Sequence, residues 1–85
     1  MNAVIYTRGQ NRKQQINECK EYAKRFGFEV VGIESNWDSI EYFVFTGKTD
    51  IVIVYDIARI TRKQNEFISI VHDLDKFDVR ILSVN

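Results

Sequence analysis

Apolar and polar positions along the chain alternate between two registers. Residues 3–6, AVIY, form a short apolar run with β-branched and aromatic members, the pattern of a buried strand. From Lys13 to Phe26 the apolar residues fall at Ile16, Cys19, Ala23 and Phe26, with Tyr22 beside them. Lys20, Glu21 and Lys24 take the other side, so the spacing predicts an amphipathic helix, closed by Gly27. Residues 28–33, FEVVGI, predict a second strand, and residues 38–45, DSIEYFVF, a short second helix followed by a turn over 46–50. The run IVIVY, residues 51–55, is apolar on both faces, as a central parallel strand must be. Between Thr61 and Lys76 the apolar positions Phe67, Ile70, Val71 and Leu74 mark a third amphipathic helix. Residues 79–84, VRILSV, make a fourth strand, and Arg80 between Val79 and Ile81 predicts an edge strand with one polar side.

The order is βαβαβαβ. Alternation of this kind gives an α/β fold with right-handed crossovers. The expected architecture has three layers: a four-stranded, mainly parallel sheet, strand order 2-1-3-4, and three helices. In that order the first helix lies on one face and the other two on the opposite face. One helix cannot cover four strands, so part of its face is either wet or covered by a second molecule. With 85 residues the chain is one domain. A domain this small buries only about 60% of the surface its unfolded chain exposes.

Composition narrows the function classes. Lys+Arg number 12 and Asp+Glu 12, a net charge of zero, whereas a dedicated DNA binder usually carries a basic excess. No apolar run is long enough for a membrane span, and no secretory leader pattern opens the chain. The one cysteine, Cys19, lies on the apolar stripe of the first helix and reads as a small core residue in a reducing, cytoplasmic setting. His72 has no histidine or cysteine near it in sequence. No metal site and no cofactor motif is present: Gly47-Lys48-Thr49 lacks the upstream glycine of a phosphate loop and precedes a strand instead of opening a helix.

The arginines carry the clearest chemistry. Arg8 follows the first strand, and Arg59 and Arg62 follow the third, three residues apart and so on one side of a helical turn. Carboxyl ends of adjacent parallel strands converge on one crevice, where ligands bind. Arg8, Arg59 and Arg62 would meet there as a phosphate clamp. Equally, they are surface arginines paired with Asp56, Glu34 or Asp38.

With these residues in view, the chain resembles the catalytic domain of serine recombinases, the resolvase/invertase family. The resemblance rests on AVIYTR, QINECKEYAKRFGFEVVG, DIVIVYDIARITR and VRILSVN, in the family's order and covering most of the chain. It implies a resolvase-like fold and puts Arg8, Arg59 and Arg62 at the family's phosphate-clamp positions. It also implies a serine nucleophile two residues after the first arginine and an acidic residue just before the second. Here those positions hold Gln10 and Ala58, and the first serine in the chain is Ser35. An amide cannot replace a hydroxyl in a covalent phosphoryl step. The loop between Arg8 and Gln15 is shorter than the family's, as is the segment before the third strand. A family member would also continue past the fourth strand into a long helix and a DNA-binding domain, so residues 1–85 read as a single truncated resolvase-like domain.

The expectation is a catalytically inactive recombinase-like protein. Its leading role is that of a protein-interaction or regulatory module, in a bacteriophage or mobile element by family habit. The partner would be a second copy, a recombinase or a host protein. Trp37, Tyr42, Phe43 and Phe45, crowded into residues 36–45, are the candidate interface, or else core of a thin domain. The alternative is a non-catalytic DNA or phosphate binder that uses the arginine crevice, helped by Arg12, Lys13 and Lys63. A decaying remnant is disfavoured by the clean helix and strand patterns.

Overall fold

The computed structural model describes residues 1–85. Strands β1 (Asn2–Tyr6), β2 (Glu29–Glu34), β3 (Ile51–Val54) and β4 (Arg80–Ser83) pair in parallel throughout, in the order β2-β1-β3-β4. Helices α1 (Arg12–Phe26), α2 (Trp37–Phe45) and α3 (Gln64–Asp75) connect them, and a 3-10 turn, Ile57–Arg59, precedes α3. The α/β class, the strand order and the three helices are those expected from the pattern.

Strand alternation sends each central strand into two cores. On the face of α2 and α3, Val4, Tyr6, Val52 and Val54 pack with Ile40, Val44, Ile60, Leu74 and Val79. On the face of α1, Ala3, Ile5, Ile51 and Ile53 pack with Cys19 and Ala23. Both central strands are thereby buried on both faces, which is why their sequence is an unbroken apolar run. A register shift between Ala3 and Val4 lets Val30 and Ile33 of β2 both reach the α1 core, although they are an odd number of residues apart. Helix α1 lies over β1, β2 and β3, while Leu82 and Val84 at the β4 edge of that face stay half-buried.

The helix ends follow local chemistry. Gly27 closes α1 at φ 74°, its N–H donating to the carbonyls of Ala23 and Lys24. Lys24 and Arg25 sit in that last turn, where a cation complements the helix dipole. The Asn36 side chain caps α2 by accepting from the Asp38 N–H at 2.9 Å.

Three expectations need correction. Helix α3 starts at Gln64, not Thr61. The Thr61 hydroxyl accepts from the Lys63 N–H and donates to the Glu66 carboxylate, both at 3.1 Å, which holds residues 61–63 in a turn outside the helix. Val71 is exposed because the inward stripe of α3 runs through Phe67, Ile70 and Leu74, one position away. Phe26 is 54% exposed and packs with Tyr22 and Phe28 outside the core, while Gln15 takes an inward position that an apolar residue would usually hold.

Candidate functional site

The largest recess, of about 650 Å³, opens at the carboxyl ends of β1 and β3. Two loops and the elements beside them build it. The β1–α1 loop supplies Arg8 and Gly9, the link from the 3-10 turn to α3 supplies Ala58 through Lys63, and Tyr6, Trp37 and Ile70 form apolar wall. Arg8, Arg59 and Arg62 therefore line one cleft, joined by Lys63. Glu66 is the single carboxylate among the lining residues.

The two loops clasp each other through their arginines. Arg59 Nη1 donates to the Arg8 carbonyl at 3.1 Å, and Arg8 Nη1 donates in return to the Ile60 carbonyl at 3.5 Å. Arg59 also lies 3.6 Å from the Asp56 carboxylate and over the Tyr55 ring, 5.7 Å from its centroid. The pair is loose: Arg59 Nε and Asp56 Oδ1 are both buried without a hydrogen-bond partner. Neither Glu34 nor Asp38 reaches any arginine, and Arg8, Arg62 and Lys63 have no carboxylate within ion-pair distance. Arg59 and Arg62 do not share a helix, since Arg59 ends the 3-10 turn and Arg62 lies in the link after it.

Gln15 sets the β1–α1 loop. Its side chain is 1% exposed and makes three hydrogen bonds to that loop. Nε2 donates to the Arg8 and Gln10 carbonyls at 2.9 and 2.8 Å, and Oε1 accepts from the Arg8 N–H at 3.2 Å. A buried amide so saturated with backbone partners specifies one loop conformation. Gly9 at φ 79° makes the turn, and a Cβ there would stand 3.1 Å from Arg59 Nη1. Gln10 is exposed beside it, with its carbonyl held by Gln15. Thr7, the one hydroxyl residue flanking Arg8, is fully buried and accepts from Arg12 Nε at 3.1 Å. That contact turns Arg12 toward Thr7, and neither Arg12 nor Lys13 lines the cleft.

The aromatic residues of α2 divide. Trp37 and Tyr6 form a T-shaped pair, centroids 5.1 Å apart, and both line the cleft. Phe43 is half-buried with its ring over Gly32 of β2, where a Cβ would come within 2.7 Å of Cζ. Tyr42 and Phe45 are 54% and 55% exposed. Phe45 meets Phe77, itself 48% exposed, with centroids 5.0 Å apart, at the end of a second groove of about 250 Å³ between α2 and α3. Sequence patterning did not single out Gln15, Tyr6, Glu66 or Ile70 for the site. For Gln15 a signal exists: it continues the stripe Cys19, Ala23 one turn toward the N-terminus, and a polar residue on an apolar stripe marks a buried hydrogen-bonding role.

Other candidates lie elsewhere. Thr49 donates its hydroxyl to the Ile51 carbonyl at 2.8 Å, so the Gly47-Lys48-Thr49 turn belongs to the amino end of β3. Burial, aided by Glu18, pushes the Cys19 thiol up to about 12, which leaves it a protonated core residue. His72 is exposed near the end of α3. No group of three or more His, Cys, Asp or Glu side chains is arranged to hold a metal ion, and no helix is long and apolar enough to cross a membrane.

No protein-family model matches the sequence, and no curated protein matches it either. Solved structures do match the fold. The chain superposes on the C-terminal catalytic domain of ISC1926 TnpA, an IS607-like serine recombinase, with TM-score 0.91 and 24% identity, covering 100% of this chain and 70% of that one. The N-terminal catalytic domain of TP901-1 integrase matches with TM-score 0.93 and 21% identity, over 100% of this chain and 78% of that one. A resolvase family site-specific recombinase from Streptococcus pneumoniae matches with TM-score 0.91 and 17% identity, over 99% and 72%. The fold is that of serine recombinase catalytic domains.

Proposed function

We propose that this chain is a recombinase-like module that holds a nucleic-acid phosphate in the arginine cleft without cutting the strand. One observation carries it: four cations line a single cleft, and three of them have no carboxylate partner. Unpaired guanidinium groups at the carboxyl ends of parallel strands form a ready anion site. The non-cutting part rests on Gln10 and Ala58 at the positions where the family resemblance calls for a serine and an acid, and on the burial of Thr7. Cytoplasmic placement and a setting in a bacteriophage or other mobile element belong to the proposal.

Fluorescence anisotropy of labelled duplex and single-stranded DNA, at low and moderate salt, tests the binding. Micromolar affinity that falls steeply with salt and is lost in Arg59→Ala is expected. No binding at low salt would overturn it. A covalent protein–DNA adduct, or nicking of a supercoiled plasmid, would overturn the non-cutting part.

A second function, protein interaction, is favoured by the exposed Tyr42, Phe45 and Phe77 at the α2–α3 groove. A second copy, a recombinase or a host protein is the partner class, with a regulatory role. Sedimentation equilibrium checks self-association, which Phe45→Glu should abolish.

A further inference from the structure

The arginine cleft is chemically divided. Its cations come from two loops, while Tyr6, Trp37 and Ile70 contribute apolar surface from β1, α2 and α3. Trp37 and Ile70 also line the α2–α3 groove, so the charged cleft adjoins a second, mainly apolar recess. The cleft volume of about 650 Å³ is far more than a phosphate group fills and falls in the range of small-ligand sites.

Building on the phosphate-binding function above, we propose that the cleft takes one unpaired nucleotide, with its phosphate on the arginines and its base against Trp37. A duplex offers only phosphates to such a site, because its bases are stacked and paired inside. An unpaired nucleotide offers both a phosphate and a flat apolar face, and aromatic side chains next to a basic groove are the usual platform for it. The charge distribution points the same way. With a net charge of zero, the chain lacks the general cation excess that draws duplex DNA, and four of its 12 Lys and Arg line this one cleft. The nucleotide comes either free or as an unpaired position in a strand, and both present the same chemistry.

Trp37 is the only tryptophan, so its emission reports directly on the proposed contact in the unmodified chain. The chain is titrated at low salt with inorganic phosphate, ribose 5-phosphate, a nucleoside monophosphate, a short thymidine oligonucleotide and a duplex of equal length. The expected result is a change in Trp37 emission with the oligonucleotide, at an affinity at least tenfold above that for ribose 5-phosphate. The same change with the monophosphate assigns a free nucleotide as ligand, and its absence there assigns a strand. Arg62→Ala, which removes an exposed side chain without an ion-pair partner, should weaken binding about tenfold. Duplex binding equal to or tighter than single-strand binding, with Trp37 emission unchanged, would overturn this inference and leave phosphate binding intact. Absence of binding to every phosphate ligand would overturn both.

Discussion

The two loops that face each other across the cleft are built in opposite ways. The β1–α1 loop is fastened from below by Gln15, which satisfies three backbone groups from a fully buried position. The link between β3 and α3 is anchored in the core by Ile60 alone, and its polar side chains make partly exposed contacts: the loose Asp56–Arg59 pair and the Thr61 hydroxyl. One wall is rigid and carries Arg8, and the other is tied more lightly and carries Arg59, Arg62 and Lys63. Across these walls Arg59 is held at its guanidinium by the Arg8 carbonyl and the Asp56 carboxylate, whereas Arg62 and Lys63 are exposed with no carboxylate partner.

The largest effect should come from the rigid wall. Gln15→Leu removes three hydrogen bonds and strands backbone groups in the interior, and should cost about 3 kcal/mol in urea denaturation. If the loss is below about 1 kcal/mol, the contrast between the walls is wrong. Next is Arg59→Ala, with a loss of DNA binding of tenfold or more, about 1.4 kcal/mol, and a smaller loss of stability as the Arg8 carbonyl and the Asp56 carboxylate lose their partner. Gly9→Ala comes third: it forces a side chain into a left-handed conformation and against Arg59, and should lower stability by about 1 kcal/mol while shifting the Arg59 guanidinium. Thr61→Val, on the lighter wall, should cost under about 1 kcal/mol.

The smallest effect at neutral pH involves Cys19, away from both walls. Its thiol is raised from 9.0 to about 12 by burial, so the folded state favours the protonated form. Below pH 9 both states are protonated and stability is unaffected by this group. Above pH 9 the unfolded chain ionises first, so this group lowers stability progressively until the folded thiol titrates near 12. A thiol reagent at pH 8 should therefore modify Cys19 only after unfolding.

Much of the fold is legible in the residue pattern. The run IVIV can be buried on both faces only in a central parallel strand, and the spacing of Cys19 and Ala23 places α1 on the sheet. Arg8, Arg59 and Arg62 are located near one another by strand order alone. Local periodicity is less informative at helix ends, where tertiary contacts outweigh propensity: Thr61 holds α3 back to Gln64, and Phe26 ends outside the core. Among the α2 aromatics, burial was undetermined because a short helix can turn any of several faces inward. Packing on Tyr6 and Gly32 decided for Trp37 and Phe43, leaving Tyr42 and Phe45 outside.

The sequence by itself determined the alternation of strands and helices and the buried central strands of a parallel α/β sheet, because alternation and helical spacing act over a few residues and are written locally; the strand order 2-1-3-4 and the meeting of the arginines were expectations that the assembled sheet fulfils. Only the tertiary structure decided that Gln15 fastens the β1–α1 loop, that Arg8 and Arg59 each hold the other's loop, and that Trp37 and Ile70 adjoin the cations. Those relations join residues far apart in the chain, and they exist only once the sheet has brought the carboxyl ends of β1 and β3 together.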